Sequence, residues 1–79
     1  NDLTTFQVNM LKAILCGETK FTSSDTIEEF GLSSSANVRR LRDALAKKEI
    51  VNFDTGDKAE VIDPLFEYWA RTKYFGMKI

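Results

Sequence analysis

Residues 33–50, SSSANVRRLRDALAKKEI, constrain this chain more than any other stretch, and a short strand-like run of Val51, Asn52 and Phe53 stands behind them. Three serines open the segment. Ser33 or Ser34 suits a helix start, because a seryl hydroxyl accepts a hydrogen bond from an unpaired first-turn N–H. Val38, Leu41 and Leu45 then recur at helical spacing, with Ala44 at the edge of the apolar stripe. At about 100° per residue the opposite face collects Ala36, Arg39, Arg40, Asp43 and Lys47. One side of this helix belongs in a core and the other in water.

The flanking segments say what that core is made of. Thr4 or Thr5 predicts the start of a first helix running to about residue 16, with Phe6, Met10, Leu11, Ile14 and Leu15 inward and Gly17 at its end. Cys16 is expected to be a small buried side chain. Phe21 anchors the polar connection that follows. A second, short helix over 24–30 has Ser23 or Ser24 at its cap, acidic residues in its first turns, and Ile27 and Phe30 inward. Gly31 ends it, and Leu32 plugs the space before the third helix. After Lys48 the period changes from helical to alternating. Residues 50–53 and 59–62 read as strands joined by a turn at Asp54, Thr55, Gly56, Asp57 and Lys58. Asp63 and Pro64 then mark a last helix over 64–74, Asp capping and Pro in the first turn, where its missing N–H costs nothing. It is expected to bury some of Leu65, Phe66, Trp69 and Phe75.

This order of elements predicts a mainly α fold, a winged helix-turn-helix: a three-helix core, a two-stranded β wing and an additional C-terminal helix, in one domain over 1–79. At 79 residues the chain is near the lower limit for a self-sufficient core. Its 29% charged residues and single proline argue against disorder. No apolar run approaches the roughly 18–20 residues that span a bilayer, so no membrane partner is expected. One cysteine forms no internal disulfide, and a cytoplasmic location is the expectation.

Much chemistry is excluded. Without histidine there is no histidine-based acid–base catalysis and no histidine metal site, and one cysteine rules out a structural zinc site. Glycines 17, 31, 56 and 76 are isolated, so no phosphate-cradling glycine loop forms, and Gly17-Glu18-Thr19-Lys20 only superficially evokes one. Asp25, Glu28 and Glu29 suit a helix start rather than a cation. No catalytic, cofactor-binding or metal-ligating residues are expected.

What remains is charge and aromatic surface. The net charge is −1, yet residues 39–48 carry five basic groups against Asp43, a local +4 in an otherwise acidic domain. Docked in a major groove, the helix over 34–48 would use Ser33, Ser34 and Ser35 near its start. Arg39 and Arg40 would reach phosphates or guanine edges, Lys47 and Lys48 the flanking backbone, and Ala36 would allow close approach. Against duplex DNA stand Asp43 at the centre of that face and a wing tip of net charge −1. A protein-facing role is therefore the leading expectation and DNA the alternative. The terminal Tyr68, Trp69, Tyr74, Phe75 and Met77 offer an apolar patch for the rest of a longer chain or for self-association.

Residues 7–15, Ser33-Ser34-Ser35-Ala36-Asn37-Val38 with Leu41 and Leu45, Lys47-Lys48-Glu49-Ile50-Val51, and above all Asp63-Pro64-Leu65-Phe66-Glu67-Tyr68-Trp69 carry a resemblance. Together they resemble the C-terminal winged-helix domain of archaeal-type AAA/STAND P-loop ATPases, over nearly all of residues 6–70. The resemblance implies a parent ATPase whose nucleotide-binding core, with its Walker motifs, ATP and Mg, lies outside these 79 residues. It also implies a winged helix that packs on that core or binds partner proteins or DNA. No ATP-site residue transfers to any position here.

Overall fold

The computed structural model describes residues 3–54 and 59–76, the side chains of Lys73 and Tyr74 excepted. Helices α1 (Thr5–Leu15), α2 (Ser24–Phe30) and α3 (Ser35–Lys47) precede a hairpin of β1 (Val51–Asn52) and β2 (Glu60–Val61). Helix α4 (Pro64–Trp69) follows and passes into a π-helical turn, Ala70–Tyr74. The two strands are antiparallel, Val51 opposite Val61 and Asn52 opposite Glu60. A further bond from Ile62 N–H to the Ile50 carbonyl (2.9 Å) extends the pairing toward α3.

Each helix starts on a polar side chain. The Thr4 hydroxyl accepts from Gln7 N–H while Gln7 Oε1 accepts from Thr4 N–H, a reciprocal capping box. Ser23 accepts from Thr26 N–H, Ser34 from Asn37 N–H and Asp63 from Leu65 N–H. The first three helices also end alike. In α1, Glu18 N–H bonds the Ala13 carbonyl and Gly17 N–H that of Ile14. In α2, Leu32 N–H reaches back to Ile27. In α3, Ile50 N–H bonds Leu45 and Glu49 N–H bonds Ala46. This pattern needs a left-handed residue after the helix, supplied by Gly17 (φ 87°), Gly31 (φ 67°) and Glu49 (φ 59°).

The core collects Met10, Leu11, Ala13, Ile14 and Leu15 of α1 with Val38, Leu41 and Leu45 of α3. Phe21, Leu32, Val51, Val61 and Ala70 close it. Leu32 is fully buried because the turn ending α2 directs it inward. Two side-chain amides hold the connection between α2 and α3: Asn9 Nδ2 donates to the Gly31 carbonyl (3.3 Å) and Asn37 Nδ2 to the Leu32 carbonyl (2.9 Å). They fix the crossing of α3 over α2.

Three expectations need correction. Phe6 is exposed rather than inward, because Gln7, locked into the capping box, takes the centre of the buried face of α1. Cys16 is exposed, since it lies about 180° around the helix from Gln7 at 100° per residue. The last helix does not continue as a regular α-helix to residue 74. Phe75 N–H bonds the Ala70 carbonyl (2.9 Å), the wider π spacing, while Thr72 Oγ1 donates to the Tyr68 carbonyl (2.7 Å).

Candidate functional site

Helix α3 presents its faces as its sequence requires. Val38, Leu41 and Leu45 are buried, and Ala36, Arg39, Arg40, Asp43, Lys47 and Lys48 are exposed. Ser33, Ser34 and Ser35 are exposed at its start. Ser34 is already engaged as the cap, and Ser33 holds a left-handed backbone (φ 79°). Ser33 thus shapes the turn into α3, leaving Ser35 with a hydroxyl that makes no hydrogen bond to another described residue. Among the described residues the ion pair is Glu67 with Arg71 (3.2 Å), on the C-terminal helix. Arg39, Arg40, Lys47 and Lys48 therefore stand without carboxylate partners there, and Asp43 stands among them.

The wing side of α3 holds a residue that periodicity alone did not single out. The Arg42 guanidinium lies over the Phe53 ring, 5.0 Å from its centroid. Arg42 falls on the flank between the core stripe and the basic face, where β1 runs past. A cation over an aromatic face at an exposed site is worth about 0.5–1 kcal/mol, enough to bias the side chain toward one position. Arg39, Arg42, Asp43 and Ala46 join Phe53 and Asp54 around a shallow groove at this junction. Of the wing tip, Asp54 is described and exposed, its N–H bonded to Asn52 Oδ1 (2.9 Å). Thr55, Gly56, Asp57 and Lys58 lie outside the described residues.

The C-terminal aromatic group divides. Phe66 and Phe75 pack against the core at half burial. Leu65 is 80% exposed, Tyr68 58% and Trp69 40%, and neighbouring Ile62 is 51% exposed. Trp69 keeps a tilted ring contact with Phe66 at 5.9 Å between centroids. Leu65, Tyr68 and Trp69 recur at i, i+3 and i+4, so α4 carries an outward apolar stripe. The Tyr74 side chain and Met77 lie outside the described residues.

A family model described as "probable winged helix domain" matches residues 1–72. The chain belongs to this winged-helix family. Three helices, a two-stranded antiparallel hairpin and a closing helix are consistent with a winged helix. No curated protein and no solved structure matches the chain significantly. Winged-helix domains are generally non-catalytic and commonly bind DNA or proteins. In this winged helix no described helix is long and apolar enough to cross a membrane, and the described residues contain no cluster of metal-ligating side chains.

Proposed function

We propose that this winged helix is a non-catalytic recognition module of a larger P-loop ATPase, docking on that protein's nucleotide-binding core or on a partner protein through the outward stripe of α4. The observation that carries the reading is the exposure of Leu65, Tyr68 and Trp69. These belong to the Asp63-Pro64-Leu65-Phe66-Glu67-Tyr68-Trp69 run on which the resemblance to AAA/STAND ATPases chiefly rests, and the domain itself covers little of Leu65 and less than half of Tyr68. Asp63 and Pro64 start the helix and Phe66 packs inward, whereas Leu65 and Tyr68 turn most of their surface outward, with the edge of Trp69 beside them. Tyrosine and tryptophan at the centre of an interface supply large rigid contact area, the usual makeup of its energetically dominant positions. Burying an exposed leucine contributes about 1.5–3 kcal/mol. ATP and Mg would be bound by the core, and this module would act by contact alone.

The test mixes the chain with the separately expressed nucleotide-binding core. Co-elution and altered ATP turnover are expected, and both should be weakened by Leu65→Ala with Trp69→Ala. Unchanged turnover with no co-elution would overturn the reading.

A second reading has its own support: the exposed Arg39, Arg40, Lys47 and Lys48 on α3, which have no carboxylate partner among the described residues and suit a duplex backbone. Binding to short duplexes would then weaken steeply with salt, with the log–log slope falling by about one for each phosphate-contacting residue removed. Flat, negligible binding at low salt eliminates it.

A further inference from the structure

The connection between α1 and α2, the wing-side flank of α3 and the hairpin enclose a groove of about 490 Å³, away from the outward stripe of α4. Among the described residues its charged lining is Lys20 and Arg42, with no carboxylate. The other described grooves each contain at least one: Glu49 and Asp54, Asp43 and Asp54, or Glu60 and Glu67. In a chain of net charge −1, a concavity whose described charged groups are both cations is a local inversion of the surface.

The backbone of Lys20 and the guanidinium of Arg42 are each held in place. Phe21, buried in the core, pins the loop that carries Lys20, and Ser23 N–H bonds the Lys20 carbonyl (3.1 Å) to close a turn there. Arg42 rests on Phe53, itself part of the lining. The hydroxyls of Thr19 and Thr22 also line the groove, and neither they nor Lys20 Nζ bond any described residue. Ser23 lines it too, but its hydroxyl is engaged with Thr26.

The donor set selects the ligand class. Arg42 offers a planar fork of N–H groups, Lys20 a compact charge with three donors, and the threonines two further hydroxyls. A carboxylate offers two coplanar oxygens and a single charge. A phosphate group, with its oxygens spread tetrahedrally and a higher charge, suits such a donor set better. We propose that this groove binds a phosphate group, Arg42 and Lys20 neutralising it while Thr19 and Thr22 donate from the loop. The phosphate comes either from a free phosphate species or from a phosphodiester backbone, and the proposal is independent of the docking role given to α4.

The experiment follows backbone amide and Arg Nε resonances of the whole 79-residue chain. It is titrated separately with inorganic phosphate, with sodium chloride at matched ionic strength, and with a short DNA duplex. Saturable shifts at residues 19–23 and at Arg42 Nε with phosphate, absent with chloride, identify a free-phosphate site. The same shifts only with duplex identify a backbone-phosphate site. Lys20→Gln and Arg42→Gln should each weaken binding about tenfold, the usual loss when one charge-assisted partner is removed. Arg42→Lys should restore it only in part, because it keeps the charge but loses the fork. Shifts confined to the Arg39, Arg40 and Lys47 face, chloride reproducing the phosphate response, or Lys20→Gln binding as well as the parent chain would each overturn the assignment.

Discussion

Truncating two leucines should separate the residues that build this domain from those it leaves for others. Leu45 is fully buried on α3, and Leu65 is 80% exposed on α4. Leu45→Ala removes buried methyl groups and leaves a cavity, at a cost of about 2.7–5 kcal/mol. A domain of 79 residues has about 4–12 kcal/mol of stability in all, at about 0.05–0.15 kcal/mol per residue. The substitution therefore removes a large share of the total. Leu65 buries only about a fifth of its surface, so Leu65→Ala should cost about 0.3–0.6 kcal/mol when a fully buried leucine contributes about 1.5–3. In urea, with a slope near 1 kcal/mol per molar for so small a domain, the midpoint should fall by about 3 M or more for Leu45→Ala and by less than about 0.6 M for Leu65→Ala. Circular dichroism at two protein concentrations provides the measurement. Should Leu45→Ala be unfolded from the outset, the smaller truncation Val38→Ala, also at a fully buried position, supplies the same contrast. A loss at Leu65 as large as that at Leu45, or one that appears only at high concentration, would show the α4 stripe covered by the domain itself or by a second copy. The stripe would then not be a surface kept for docking.

The caps and left-handed positions give two sharper local tests. Ser34→Ala should cost about 1 kcal/mol by freeing the Asn37 N–H, while Ser34→Gly costs a few tenths, both readable as midpoint shifts in thermal or urea unfolding. Gly31→Ala and Glu49→Gly should move stability in opposite directions, because both sites have positive φ. The alanine adds about 1–2 kcal/mol of backbone strain and a Cβ 3.4 Å from Asn9 Nδ2, whereas the glycine relieves the strain borne by Glu49, less its own entropy cost. Equal effects of the two would refute the left-handed assignment of these residues.

Most of the frame was legible because it is local. Ser23, Asp63 and Pro64 mark helix starts by chemistry that acts within three or four residues, and Gly17 and Gly31 mark ends for the same reason. The stripe of Val38, Leu41 and Leu45 specified which face of α3 turns inward, and it does. Phe6 and Gln7 show where such reading stops. Hydropathy puts phenylalanine inside and glutamine outside, but Gln7 closes a capping box with Thr4, and a satisfied amide can occupy the inner face. Glu49 ends α3 in a conformation for which nothing in its residue type prepares the reader. The π-helical turn after Trp69 likewise has no proline or glycine to announce it.

Long-range placement was the harder part, and it bears directly on function. Arg42 counts in the sequence as one more charge of a basic helix, and Lys20 as a loop lysine 22 positions away. They line one groove because Leu32 and the two asparagine amides set the crossing of α3, and because β1 leaves α3 so as to lay Phe53 beneath the guanidinium. None of these contacts is encoded in spacing along a single element. The same core that turns Arg39 and Arg40 outward brings Arg42 back toward the wing, so one helix supplies basic groups to two surfaces of different shape. An exposed face with Asp43 at its centre suits broad contact with a large partner, whereas the groove with Lys20 and Arg42 and no carboxylate among its described residues suits a single compact anion. Neutralising Arg40 and Lys47, which do not line the groove, should therefore weaken phosphate binding there far less than the loss of about tenfold expected from Arg42→Gln. Parallel losses from both substitutions would mean that the protein presents one diffuse basic surface and no groove site.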